Sequence, residues 1–228
     1  MRKLHDNFSN CNRIVSFGCS ITFGDELSDI AVPGVDKVDQ RKPSNLTYAA
    51  LIAKHCGKPY LCKASSGAAN NQIERVLVDH IRSNTGDGVI IGWTSITRQE
   101  FHTKQMGYQS ILAGSEYRAG GDRDKIQQAY DTILGLSEYP EMTAAFNRQV
   151  FLVQNTLKQM GIPYLMVHTF SHTNYTPAEF AGLDIIDIGK YHSFYDWATT
   201  CSYSKGKNGH PLDAAHADYA AKIIKVYG

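Results

Sequence analysis

Two segments at opposite ends of this 228-residue chain carry side chains that together support nucleophilic chemistry. Near the start, Ile14 to Leu27 runs Ile-Val-Ser-Phe-Gly-Cys-Ser-Ile-Thr-Phe-Gly-Asp-Glu-Leu, an apolar β-branched run that breaks at Gly18-Cys19-Ser20. A hydroxyl just past the carboxyl end of a strand stands where open α/β sheets bind ligands and react, which makes Ser20 a candidate nucleophile. Near the end, the sequence Gly-His-Pro-Leu-Asp-Ala-Ala-His sets Asp213 three residues before His216. On a helical turn that spacing puts both side chains on one face, so the carboxylate can orient an imidazole that serves as base. An unactivated serine needs both partners, and Ser20, His216 and Asp213 supply the three roles in that chain order.

Each residue has a plainer use. Ser20 alone is a helix N-cap, Asp213 likewise, and His216 a satisfied histidine at the start of the last helix. Cys19 is a rival nucleophile, but neighbours on a tight turn point apart and most buried cysteines are inert. His210, ahead of Pro211, reads as a loop residue. His168 and His172 stand four apart after a strand without a partner motif, and His192 and His210 add no spacing, so no metal is expected. Gly18 to Gly24 lacks the Lys-Ser/Thr ending of a phosphate-cradling loop, and no cofactor is required.

Strands and helices alternate around these segments. Strands are predicted at Arg13–Phe17, Tyr60–Ala64, Gly88–Trp93 and Tyr164–Thr169. Helices are predicted at Asn45–His55 with Ser44 as N-cap, Asn70–Arg82, Glu141–Met160 and Ala214–Val226. That order predicts one α/β domain over 1–228, a parallel sheet covered on both faces through right-handed crossovers. Two stretches exceed the repeat. Residues 28–44 form a surface excursion, and 97–140, with glycines among Tyr108, Tyr117, Tyr130 and Tyr139, form an insertion holding a helix at Asp124–Leu136. Those tyrosines either contact a ligand or seal a subsidiary core.

The motifs resemble the SGNH (GDSL-like) hydrolase family. Its Gly-Asp-Ser-like segment is matched by Gly18-Cys19-Ser20, its second-strand glycine by Gly67, and its C-terminal Asp-x-x-His by Asp213-Ala214-Ala215-His216. Its third segment, Gly-x-Asn-Asp, is altered here to Gly92-Trp93-Thr94-Ser95, with Thr94 where the asparagine stands, and Cys19 replaces the first-segment aspartate. The resemblance implies a flavodoxin-like three-layer α/β/α sandwich with a central, mainly parallel sheet. It also implies an oxyanion hole formed by the N–H groups of Ser20 and Gly67 and by Thr94, with Asn70 or Asn71 as alternatives for the third donor. The implied activity is hydrolysis of an acetyl or acyl ester, including esters on carbohydrates.

The formal net charge of +1 offers no electrostatic footprint for nucleic acid. Five cysteines without a Cys-x-x-Cys pair suit reduced thiols, and the absence of an apolar leader or of an apolar run near 20 residues predicts a cytoplasmic chain without a membrane span. Virion packaging or release by lysis leaves no sequence mark. Two other readings stand beside the esterase: a binding or virion-associated module that keeps the fold, and an acyl or glycan transferase.

Overall fold

In the computed structural model the described residues are 4–30, 42–103, 107–112, 122–136, 139–170, 182–186 and 193–228. The chain enters through a short helix α1 (Leu4–Phe8) and then forms β1 (Ile14–Gly18), buried along its whole length. Its run of Ile, Val and Phe suits a central parallel strand, covered on both faces. After the one-turn α2 (Ser20–Phe23) come α3 (Tyr48–His55), β2 (Tyr60–Cys62), α4 (Asn70–Ile81) and β3 (Gly88–Trp93). A hairpin, β4 (Arg98–Thr103) and β5 (Gly107–Leu112), precedes α5 (Asp122–Leu136), the long α6 (Tyr139–Gln159) and β6 (Tyr164–His168). The two-residue β7 (Ile185–Ile186), α7 (Phe194–Thr200) and α8 (Asp213–Tyr227) complete the chain.

The main sheet has the order β2-β1-β3-β6-β7, every pair parallel. This is the flavodoxin-like order. The first crossover leaves β1 for one edge and the next returns past it to β3, so right-handedness puts α3 and α4 on opposite faces. The expected three-layer sandwich is therefore the observed fold. Its switch point lies between the carboxyl ends of β1 and β3, where Gly18 pairs in register with Gly92. A Cβ on either glycine would lie 2.3 Å from Thr22 Oγ1, and one on Gly92 would also lie 2.6 Å from the Tyr48 hydroxyl. Two strand-end glycines thus admit the Thr22–Tyr48 hydrogen bond, 3.0 Å, which joins α2 to α3 directly above the sheet.

Local differences from the sequence expectation have identifiable causes. Helix α3 starts at Tyr48, because Thr47 caps it by accepting from the Ala50 N–H at 3.2 Å. The expected cap, Ser44, instead donates to Asp29. The 97–140 stretch holds the antiparallel β4–β5 hairpin as well as its helix. Tyr130 is buried there, donating to the Thr97 carbonyl and meeting Phe101 edge-on, so it seals a subsidiary core. Tyr108 is exposed beneath the Arg75 guanidinium. Tyr117, His172, His192 and most of 28–44 lie outside the described residues, as does the side chain of Tyr139. Among the described residues no helix is long and apolar enough to cross a membrane.

Candidate active site

Ser20 opens α2 at the carboxyl end of β1. Its carbonyl accepts from the N–H groups of Gly24 and Asp25, which closes the turn at 2.8 and 3.0 Å. Its side chain is 5% exposed, and the hydroxyl has no hydrogen-bond partner among the described residues. Cys19, fully buried, points its thiol at the Thr169 hydroxyl at 3.4 Å, into the core.

The Asp213–His216 pairing expected from the spacing is not formed. Both Asp213 oxygens receive donors from Ser28, its N–H at 3.0 Å and its hydroxyl. His216 is 1% exposed, stacked on Tyr48 and edge-on to Phe194. Its Nδ1 accepts from the Tyr48 N–H at 3.1 Å. Burial pushes its pKa down to about 3, against the pull of Asp213. The bond to Tyr48 fixes α8 to the start of α3, and no hydrogen bond joins the ring to Ser20 among the described residues. Helical spacing brings the two residues to neighbouring positions, but His216 packs inward while Asp213 stays half-buried at Ser28.

Two histidines among the described residues meet a carboxylate: His80, whose Nε2 lies 3.0 Å from Asp87 Oδ2 at the other end of the sheet's first strands, and His210, in the loop before α8. The His210 Nδ1 lies 2.8 Å from Glu26 Oε2, with the two side chains 16% and 9% exposed. The same carboxylate accepts the N–H groups of Asn208 at 2.8 Å and His210 at 3.3 Å. Burial alone would raise the Glu26 pKa; these donors and the imidazole overcome it and hold the carboxyl below its ordinary value. Glu26 has φ of 68°, the left-handed region that a glutamate rarely adopts. The loop is shaped to receive it: the bridge Lys205–Pro211 and the bond from the Gly206 N–H to the His210 carbonyl fold residues 205–211 back on themselves. A Cβ on Gly206 would strike the Glu26 carboxylate at 2.5 Å. Sequence reasoning set His210 aside and did not single out Glu26; no local spacing links residue 26 to residue 210, and the Gly-His-Pro loop was the available signal.

Neighbouring Asp25 takes the Ser66 hydroxyl at 2.6 Å on both oxygens, and burial raises its pKa. This ties the turn after Ser20 to the turn bearing Gly67, which is exposed, has φ of 78° and has open space where a Cβ would stand. At the end of β3, Thr94 is fully buried; its hydroxyl lies 3.5 Å from Arg98 Nη1, which also donates to the Ala68 carbonyl. Asn70 accepts the Thr94 N–H at 2.8 Å and donates to the Thr94 carbonyl at 3.1 Å, while Asn71 makes the same two-way bridge to Glu100, 3.0 Å in each direction. Both amides expected as alternative oxyanion donors are therefore spent on backbone: they clamp α4 to the third segment and to β4. A cavity of about 440 Å³ opens behind them, lined by Ile96, Met142 and Phe146, and does not include Ser20, Gly67 or His210.

No family model and no curated protein matches the chain. Solved structures do. A carbohydrate esterase, whose active site displays divergent catalytic and non-catalytic binding functions, aligns over 95% of this chain and 64% of its own, with TM-score 0.53 and 14% identity. A carbohydrate esterase family 2 enzyme with a carbohydrate-binding domain, from Corynascus thermopiles (Myceliophthora fergusii), aligns over 95% and 65%, with TM-score 0.50 and 17% identity. This chain thus spans just under two thirds of each. A protein from Desulfitobacterium hafniense DCB-2, described as lipolytic and of the G-D-S-L family, aligns over 94% and 99%, with TM-score 0.48 and 10% identity. The three-layer fold of this chain is the fold of the two carbohydrate esterases.

Proposed function

We propose that the chain is a serine ester hydrolase, working as a single unit over residues 1–228, with Ser20 as nucleophile and His210 as general base. The observation that carries this reading is the closure of the 205–211 loop onto the turn that follows Ser20, where the Glu26 carboxylate holds the His210 imidazole by its Nδ1; Nε2 is the nitrogen this reading uses for proton transfer. Ser20 Oγ attacks the ester carbonyl as His210 takes its proton; the tetrahedral oxyanion is held by the N–H groups of Ser20 and Gly67 and by the Thr94 hydroxyl. Collapse expels the alcohol, which carries away the proton from His210, and a water deprotonated by the same ring then releases the acid from the acyl-enzyme. Acetyl and short acyl esters, including those on carbohydrates, are the proposed substrate class, and the fold shared with carbohydrate esterases supports it.

Turnover of an aryl acetate and labelling by a serine-directed fluorophosphonate test this directly. Wild type should do both, and Ser20→Ala neither, with its far-ultraviolet circular dichroism unchanged. Wild-type turnover in the alanine variant would sink the nucleophile. An unlabelled, inactive wild type would favour a binding module, and product formed only with an added acceptor alcohol would favour a transferase.

A further inference from the structure

We propose that Glu26, six residues beyond the nucleophile, is the acid that positions the His210 imidazole, so that the orienting carboxylate comes from the turn after β1 and not from the C-terminal helix. The inference rests on the hydrolase reading above. Asp213, the acid the motif spacing points to, is held at Ser28, and among the described residues no hydrogen bond joins it to His210. Glu26, by contrast, meets His210 Nδ1 at 2.8 Å, which sets the tautomer with its acceptor nitrogen at Nε2 and stabilises the imidazolium formed when Ser20 attacks.

Three features show that this carboxylate is held in place and not merely resting beside a histidine. Its two oxygens collect two backbone N–H groups, from Asn208 and His210, in addition to the ring. Its backbone is held at φ of 68°, a conformation that persists only where the surroundings over-determine it, as at functional sites. The partner loop carries Gly206 where any side chain would overlap the carboxylate. A surface ion pair needs none of these. One consequence is that nucleophile and acid ride on a single rigid turn, closed by the Gly24 and Asp25 bonds to the Ser20 carbonyl, and only the base is brought in from the far end of the chain.

The positive φ also supplies a variant that should fold. Glu26→Gly removes the carboxylate and relaxes the backbone, since glycine adopts that conformation freely. Steady-state kinetics on an aryl acetate, with fluorophosphonate labelling of wild type as control, should show kcat of Glu26→Gln down about 10²–10⁴-fold with KM nearly unchanged, the size of loss seen when an orienting acid becomes an amide. Glu26→Gly should lose as much and recover about tenfold or more on adding formate, which restores a carboxylate beside Nδ1; a merely structural glutamate gives no such recovery. Wild-type kcat in Glu26→Gln, or a glycine variant that formate leaves unchanged, overturns the role of Glu26 while the labelled Ser20 keeps the hydrolase reading intact. A wild type that is neither labelled nor active overturns both.

Discussion

His210 and His216 stand on the same short stretch and serve opposite ends. His216, buried against Tyr48 and Phe194, is neutral in the folded chain with a pKa near 3, whereas an unfolded histidine titrates near 6.5. Between those values the unfolded state binds the extra proton, so the stability tied to this ring is fully present above about pH 6.5 and is lost as pH falls toward 3. The loss over the window is on the order of 4–5 kcal/mol. Urea unfolding at pH 7 and pH 4.5 should therefore show a marked drop for wild type and a flatter pH dependence for His216→Ala. That variant should also be less stable at pH 7 by roughly 2–4 kcal/mol, from the cavity and the unpaired Tyr48 N–H. Of the candidate site, Ser20, Asp213 and His216 were visible in the sequence and Glu26 was not. Ser20 stood out because a β-run ended in a Gly-x-Ser turn, but the Asp-x-x-His spacing drew attention to a buried ring whose Nδ1 is taken by the Tyr48 N–H. Periodicity tells which residues share a face and is silent on what that face packs against.

Among the elements, the junction of β1, β3, α2 and α3 sets the geometry at Ser20. A methyl group on Gly92 would overlap Thr22 Oγ1 at 2.3 Å, Tyr48 Oη at 2.6 Å and Thr169 Cγ2 at 2.8 Å. Gly92→Ala should cost about 2–3 kcal/mol, measured as a fall in the urea midpoint, because three elements must yield together. Legibility here followed length. The six-residue β3 was predicted to the residue and α4 to within one, since each is long and bounded by clear stop signals. The two-residue β7 and the seven-residue α7 carry too few positions for a period to emerge, and the β4–β5 hairpin lies in a glycine-rich stretch where alternation is weak. The Asn70 and Asn71 clamps were visible as residues near the site, but their direction was not: an amide that bonds both an N–H and a carbonyl of one neighbour segment is recognisable only once those strands are placed.

For the molecule as a whole, the two chain ends are fastened at two points: Ser28 to Asp213, and Glu26 to residues 208–210. Asp213 also places a negative charge in the first turn of α8, the favourable end of the helix. Asp213→Ala should lower the global unfolding free energy by about 1–2 kcal/mol. It should also hasten limited proteolysis within 201–212, the exposed approach to α8. That the two segments meet was legible as an expectation, because a candidate serine at residue 20 needs a base and the Asp-x-x-His stretch carries His216. Which residues make the contact was not, since pairings nearly 200 positions apart leave no trace in local composition.

The fastening between the first turn and the last loop also sets an order of events during synthesis. The turn bearing Ser20 and Glu26 leaves the ribosome early, while His210 and the Asp213 anchor are still untranslated. Until residues 208–210 are made, Glu26 lacks the two N–H groups and the ring that hold it. The left-handed turn at Glu26 is therefore completed late, by residues more than 180 positions downstream of it.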